Sequence, residues 1–270
     1  MTGSNIRFGK FLPSGKNVVV VAIDHGEFFG PTAGLENLVS AAEKIVAADA
    51  LLIAPGAAQI CEKVFARKGA PMMVMRLNWA SSYAFQWKYN DSYSSLIASP
   101  EEALALGADI GLASCIIKAK DESVDAANVQ IFADIIKAKR HAGLPVIGEY
   151  YPVNRETLDD DMLTHQVSVA CRVMSEIGAD GVKTFYTGKR FAEVIKTTPI
   201  PVMVLGADKM ENETDALQVA FDATQAGARG VFFGRNVTQA KDPAAFLEAL
   251  KLVVKKGIMP ANAAKQCGVL

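Results

Sequence analysis

Histidine is scarce in this chain of 270 residues: His25, His141 and His165 are its whole supply. A protein-held metal centre draws on clustered histidine and carboxylate ligands, so no metal is expected. Cysteine is equally thin. Cys61, Cys115, Cys171 and Cys267 are widely spaced without a CxxC pair, which suits a reducing cytoplasm better than a disulfide framework. Residues 1–5 lack the apolar core of a signal peptide, and runs such as 18–23 are far too short to span a bilayer. Charge of either sign is also missing in excess. Lys plus Arg (28) nearly cancels Asp plus Glu (29), and no basic stripe marks a nucleic-acid or membrane partner. A small molecule is the expected partner. No low-complexity linker divides the sequence, so residues 1–270 read as a single domain.

What the chain does have is apolar material, half its residues, arranged with regularity. Short runs rich in Val and Ile alternate with longer segments of helical period. The runs are 17–24, 50–53, 71–76, 109–113, 144–151, 180–184, 200–205 and 229–233. Between most neighbours there is room for one helix, which makes parallel pairing through crossovers the natural arrangement. Leu35, Leu38, Val39, Ala42, Ile45 and Val46 share one helical face, as do Phe246, Leu247, Leu250, Val253 and Val254. Asp242-Pro243 reads as the opening of the last helix, and Gly107, Gly178 and Gly227 each stand where a helix ends and a strand begins. An open doubly wound sheet would use similar connectors. Eight units favour an α/β fold of the (β/α)8 TIM-barrel type.

One connection is long. Residues 78–97 carry Trp79, Tyr83, Phe85, Trp87, Tyr89 and Tyr93, too aromatic for a disordered loop. A lid, an oligomer contact and a small helix over the barrel rim all fit.

The polar residues gather at the C-terminal ends of the runs, where barrel enzymes carry their active groups. Asp24 closes the first with His25 after it, Tyr151 closes the fifth, and Lys183 lies toward the end of the sixth. Each has an ordinary explanation as turn residue, packed aromatic or solvated lysine. Their convergence on one mouth is the informative feature. A lysine pointing into the barrel would be largely dehydrated, the condition for a neutral, nucleophilic amine and Schiff-base chemistry. After the seventh and eighth runs, Gly206-Ala207-Asp208-Lys209 and Gly234-Arg235-Asn236 each turn at glycine and supply a cation. Loops at these two places commonly bind phosphate in barrels, so a phosphorylated ligand is expected, with Asp208 a repulsive element if it faces inward.

Ile23-Asp24-His25-Gly26, Tyr151-Pro152, Gly181-Val182-Lys183 and Gly234-Arg235-Asn236 together resemble the archaeal-type class I fructose-bisphosphate aldolases, a DeoC-like group with autoinducer-2 and aromatic-pathway relatives. The resemblance runs from about Arg7 to Val254. It implies a metal-free, cofactor-free (β/α)8 barrel, a homo-oligomer, and Lys183 as Schiff-base lysine. It further implies Tyr151 as proton donor and acceptor and Asp24 as a carboxylate on substrate hydroxyls. His25, Gly206, Lys209, Gly234 and Arg235 are expected to bind substrate and phosphate. Three departures bear on substrate: Ala207-Asp208 replaces the family's glycine-proline, Glu149 its tryptophan, and Val153-Asn154 its arginine-glycine.

The expected activity is reversible carbon–carbon cleavage of a phosphorylated ketose, or a close analogue, to dihydroxyacetone phosphate and an aldehyde. A thiolase-like or transaldol-type transfer on a phosphorylated sugar-derived substrate is the alternative reaction. A barrel that binds a phosphorylated ligand without catalysis is the alternative of another class.

Overall fold

Each of the eight apolar runs becomes a strand: β1 Val18–Ala22, β2 Ala50–Ile53, β3 Met72–Arg76, β4 Ile110–Ser114, β5 Val146–Glu149, β6 Gly181–Thr184, β7 Val202–Leu205 and β8 Gly230–Phe233. The computed structural model describes residues 2–89, 91–153 and 155–269. Met1, Asn90, Asn154 and Leu270, which fall within stretches read above, lie outside the described residues. The strands pair in parallel in chain order, and β8 closes onto β1 through Val18 opposite Gly230. The result is the eight-stranded barrel that the count of runs implies.

The strands are buried on both faces, which is why they read as near-continuous apolar runs. Alternation sorts their side chains all the same. Val18, Val20, Ala22, Leu52, Val74, Leu112, Ile147, Met203 and Phe232 fill the barrel interior. Val19, Val21, Leu51, Met73, Val182 and Val204 face the surrounding helices. The N-terminal helix Thr2–Phe11 adds to the interior layer, with the Phe11 ring 6.3 Å from that of Phe232. Among the described residues no helix is long and apolar enough to cross a membrane.

The helix-to-strand connectors have a second function. Asp49, Asp109 and Asp180 each accept a backbone N–H from the start of the preceding strand: Val19 at 2.8 Å, Met73 at 2.9 Å and Val146 at 2.7 Å. The recurring acid therefore fixes the register of successive strands at the N-terminal end of the barrel. The last helix, Pro243–Lys256, opens as its sequence implies, with Asp242 accepting from Ala244 and Ala245, and buries Phe246, Leu247, Leu250, Val253 and Val254.

Among the described residues of 78–97 there is no α-helix. They make a two-stranded antiparallel hairpin, Asn78–Ala80 with Ser94–Leu96, with 3-10 turns between. Asn128 pins its return limb by donating to Ser92 and accepting from Ser94, while Asn78 exchanges two hydrogen bonds with the Ser114 backbone. The residues so held are buried, and their backbone groups would otherwise lack a partner. The hairpin is a fixed roof over the C-terminal mouth.

Gly230 marks the tightest approach in the barrel wall. Its φ is +140°, and a Cβ there would lie 2.1 Å from the Val18 carbonyl oxygen. Gly230→Ala is therefore expected to lower the unfolding free energy by about 2 kcal/mol or more, since strain and a backbone clash add. Urea denaturation of the two proteins measures the difference.

Candidate active site

The same alternation that builds the core places charge in its uppermost layer. Counting up each strand from its apolar inward positions, the next inward residues are Asp24 after β1, Arg76 on β3, Ser114 on β4, Glu149 on β5 and Lys183 on β6. Glu149 stands directly opposite Ser114 on one side and Lys183 on the other. Four of these five carry charge, and all five are buried.

Arg76 lies at the centre. Its Nε donates to Asp24 Oδ2 at 2.7 Å, and its Nη1 donates to Glu149 Oε2 at 2.8 Å and Ser114 Oγ at 3.0 Å. The guanidinium sits 5.1 Å from the Phe28 ring centre and 5.6 Å from that of Tyr83, so cation–π contact covers its faces. Glu149 accepts again at Oε2 from Ser114 Oγ, 2.9 Å away, and its Oε1 is ion-paired with Lys183 Nζ. Burial alone would raise the Glu149 carboxyl, but Arg76 and Lys183 outweigh it and hold it well below the usual carboxylate range.

Glu27 is the odd member. Its Oε1 is 2.9 Å from Arg76 Nε, whose single N–H is already given to Asp24, and both Glu27 oxygens are buried without a hydrogen bond. Burial, helped by Asp24 and Glu149 and opposed by Arg76, pushes its carboxyl well above the ordinary range. A protonated Glu27 leaves two cations, Arg76 and Lys183, against two anions, Asp24 and Glu149.

Of the residues singled out from sequence, Lys183, Asp24, Tyr151, His25, Gly206, Gly234 and Arg235 line one cavity of about 80 Å³. Lys183 is buried as expected, yet it meets a carboxylate and, 5.5 Å away, the Phe232 ring rather than an apolar slot. Tyr151 is wedged with its ring centre 4.7 Å from Phe185 and 5.5 Å from Tyr83; burial, then Asp208, pushes its phenol up to about 12. His25 packs so closely on Gly234 that a Cβ there would lie 2.3 Å from its ring. Lys209 is not brought to this cavity. It lies in a separate surface groove with Asn212 and Lys241, 3.9 Å from Glu213.

Arg235 stands at the boundary with an outer cavity of about 840 Å³ that also includes Lys88, Arg155 and Glu156. Its Nη1 is 2.6 Å from Asp208, whose side chain is 77% exposed, and its guanidinium lies over the Phe29 ring. Asp208 thus faces the expected anion site and occupies its cation. Asn236 fixes this turn by donating to Gly206 and Asp208 and accepting from Met210. His141 and His165 lie in the helices Glu122–Ala142 and Asp160–Ile177, and neither lines either cavity. Arg76 and Glu27 escaped the sequence reading, and Tyr83 entered it only as part of the aromatic connection. Arg76 is a polar residue at the C-terminal end of an apolar run, as Lys183 nearly is, so the rule that found the lysine could have found it.

The chain was compared with known proteins. The family model of the DeoC/LacD family aldolases matches residues 18–240. An uncharacterized aldolase of Saccharolobus solfataricus is 32% identical over 259 residues, covering 94% of this chain and 95% of its own. The 3-hydroxy-5-phosphonooxypentane-2,4-dione thiolase of Escherichia coli K12 is 29% identical over 250 residues, covering 90% and 79%. Among solved structures, an archaeal fructose 1,6-bisphosphate aldolase superposes with a TM-score of 0.77 at 24% identity, over 93% of this chain and 98% of its own. A fructose-bisphosphate aldolase from Slackia heliotrinireducens gives 0.79 at 16%, over 98% and 90%. At these identities the structural likenesses establish the shared barrel.

His25 makes the site sensitive to acid. Burial is the main reason its pKa falls to about 4, with Asp24 opposing and Arg235, Lys183 and Arg76 adding to the fall. Between pH 6.5 and 4 the unfolded chain binds a proton at this residue that the folded protein refuses. Stability from the neutral ring is present above pH 6.5 and is lost as pH falls toward 4. In His25→Gln the unfolding free energy should decline less steeply over that window, by on the order of 2 kcal/mol, as read from denaturation at several pH values.

Proposed function

This chain belongs to the DeoC/LacD family of aldolases, and on that premise we propose that it is a Schiff-base aldolase acting on a phosphorylated, sugar-derived ketone. For a ketose the products are dihydroxyacetone phosphate and an aldehyde. The observation that carries the reading is Lys183: a buried amine on the inward face of β6, at the wall of a cavity shared with Asp24, Tyr151 and Arg235.

The chemistry follows from those positions. Lys183 attacks the ketone carbon as the free amine, and loss of water from the carbinolamine gives an iminium. The positive nitrogen then accepts the electron pair released when the adjacent carbon–carbon bond breaks. Asp24, held by Arg76 at 2.7 Å, takes the proton of the hydroxyl that becomes the aldehyde. Tyr151 returns a proton to the enamine carbon, and hydrolysis frees Lys183. The roof of residues 78–97 keeps bulk water from that sequence through Tyr83, which is buried against Tyr151.

The terminal phosphate belongs at Arg235 and the Gly206 and Gly234 backbones, where the two cavities meet. Binding there requires Asp208 to release the guanidinium, which its exposed side chain can do at little cost. The relative named as a thiolase of a phosphorylated dione favours a second reading, in which a thiol, losing its proton, adds to the second carbonyl of a Schiff-base-held dione. The carbon–carbon bond then breaks toward the iminium, and the acyl group leaves as a thioester while the enamine stays on Lys183.

Borohydride added with ketose phosphates should reduce the iminium and leave a fixed added mass on the peptide containing Lys183. Lys183→Ala should give no adduct, and Tyr151→Phe should lose about 10²–10³ in kcat with the adduct retained. An adduct on a different lysine, or none with any candidate ketone, defeats the Schiff-base reading. A thiol acceptor in a parallel assay tests the transfer reading by the appearance of a thioester.

Arg235→Ala should raise KM for a phosphorylated substrate about 10- to 100-fold while leaving an unphosphorylated analogue unaffected. Asp208→Ala should lower the same KM several-fold, because the guanidinium is then free. Steady-state kinetics on the phosphorylated and unphosphorylated pair measures both.

A further inference from the structure

We infer that Glu149 is a catalytic proton carrier, taking a proton from Lys183 Nζ before attack and giving it to the departing oxygen when the carbinolamine dehydrates. The inference rests on the Schiff-base reading and adds a residue that the reading does not use.

Geometry carries it. Glu149 and Lys183 are register partners on adjacent strands, so their side chains leave the barrel wall side by side. The two carboxylate oxygens are divided between tasks. Oε2 is clamped by Arg76 at 2.8 Å and Ser114 at 2.9 Å, while Oε1 is turned to Lys183 Nζ. The clamp fixes the torsions of a side chain that is only 3% exposed, which leaves one oxygen aimed at one reacting nitrogen. Glu149 also lines the cavity that receives the ketone.

The proton count closes. Lys183 as an ammonium gives one proton to Glu149, and the free amine forms the C–N bond as the carbonyl π pair moves to oxygen. The resulting alkoxide takes the proton from Glu149, and Glu149 takes one from the new ammonium. The neutral carbinolamine then receives that proton on its hydroxyl, the C–O bond breaks with loss of water, and the nitrogen lone pair makes the C=N bond. Three N–H protons have become one on the iminium and two on water. Glu149 is a carboxylate again.

Its setting suits a carrier better than a store. Arg76 and Lys183 both disfavour protonation of Glu149, and the first transfer removes the second of these cations. Arg76 remains, so the protonated carboxyl gives its proton up readily to the carbinol oxygen. Tyr151, with a phenol at about 12, is a weaker acid for that step. Its place is the later proton exchange at carbon.

The test is Glu149→Gln, which keeps an acceptor for Arg76 and Ser114 but cannot carry the proton. Single-turnover borohydride trapping should fall about 100-fold or more in rate while KM changes less than about threefold. Formate added to Glu149→Ala should restore trapping at least tenfold in a saturable manner, which a purely structural role would not do. Should Glu149→Gln lose its cooperative unfolding transition, Ser114→Ala serves instead: it frees one bond to Oε2 and should slow trapping about fivefold at constant KM. Trapping by a folded Glu149→Gln within threefold of wild type, an unchanged rate in Ser114→Ala, or a folded Glu149→Ala without rescue overturns the proposal. If the wild-type protein gives no adduct, the Schiff-base reading fails and this inference with it; an adduct formed equally well by Glu149→Gln removes the inference alone.

Discussion

A single buried guanidinium organises the mouth of this barrel. Arg76 is 2% exposed and joins Asp24 just after β1, Ser114 on β4 and Glu149 on β5. Through Glu149 it also sets the surroundings of Lys183. Burying so many charges costs several kcal/mol per ion before their attraction is counted, and a well-packed apolar layer is often the more stable solution. The layers immediately below are just such solutions, filled by Val20, Leu52, Val74, Leu112 and Phe232. Charge in the top layer alone is therefore better explained by chemistry than by stability. Glu27 completes the balance: with its carboxyl pushed up by burial, the cluster can stay neutral overall without losing either anion that faces the cavity.

The fold was legible because the barrel demands the same thing eight times. Parallel strands buried on both faces must be apolar and short, and helices between them must carry one apolar stripe. Seven of the eight strands fall within the runs read from sequence and the other, β4, passes the end of its run by Ser114 alone, and the last helix begins at the cap that Asp242-Pro243 announces. The segment 78–97 was less transparent. A hairpin stabilised by Asn128 and by the Ser114 backbone depends on partners far along the chain, and its aromatic content names no particular geometry.

The site was legible to the same degree as its dependence on strand ends. Asp24 and Lys183 lie in the inward register of their strands, and Tyr151 lies two residues beyond it. Arg76 obeys the same register but resembles an ordinary strand-terminating arginine until its three acidic neighbours are seen. Glu149 registered only as a departure from a family pattern. Glu27 had no local signal, because the short helix Gly26–Phe29 delivers it to a partner 49 positions away. Lys209 failed for a conformational reason. Ala207 adopts φ +52°, and Asn236 holds the carbonyls of Gly206 and Asp208, so the turn presents Asp208 to Arg235 and leaves Lys209 beside Glu213.

That turn shifts where selectivity resides. The inner cavity is walled by residues that restrain one another: Arg76 fixes Asp24 and Glu149, Glu149 pairs with Lys183, and Gly234 admits the His25 ring. A substitution in that layer disturbs several partners together, so, if ketones are the substrates as proposed, it offers little freedom to distinguish one from another. The junction with the outer cavity is different. Asp208 is exposed, held chiefly by Arg235, and lines the outer cavity, which in the proposed reading holds the part of the substrate beyond its reacting end. An anionic group of the right reach exchanges with Asp208 at nearly constant charge, whereas a neutral group leaves the Arg235–Asp208 pair in place and gains nothing from it. On the proposed Schiff-base reading, recognition of the distal group therefore falls to the pair Asp208 and Arg235, while the buried layer below it would treat every ketone that reaches Lys183 alike.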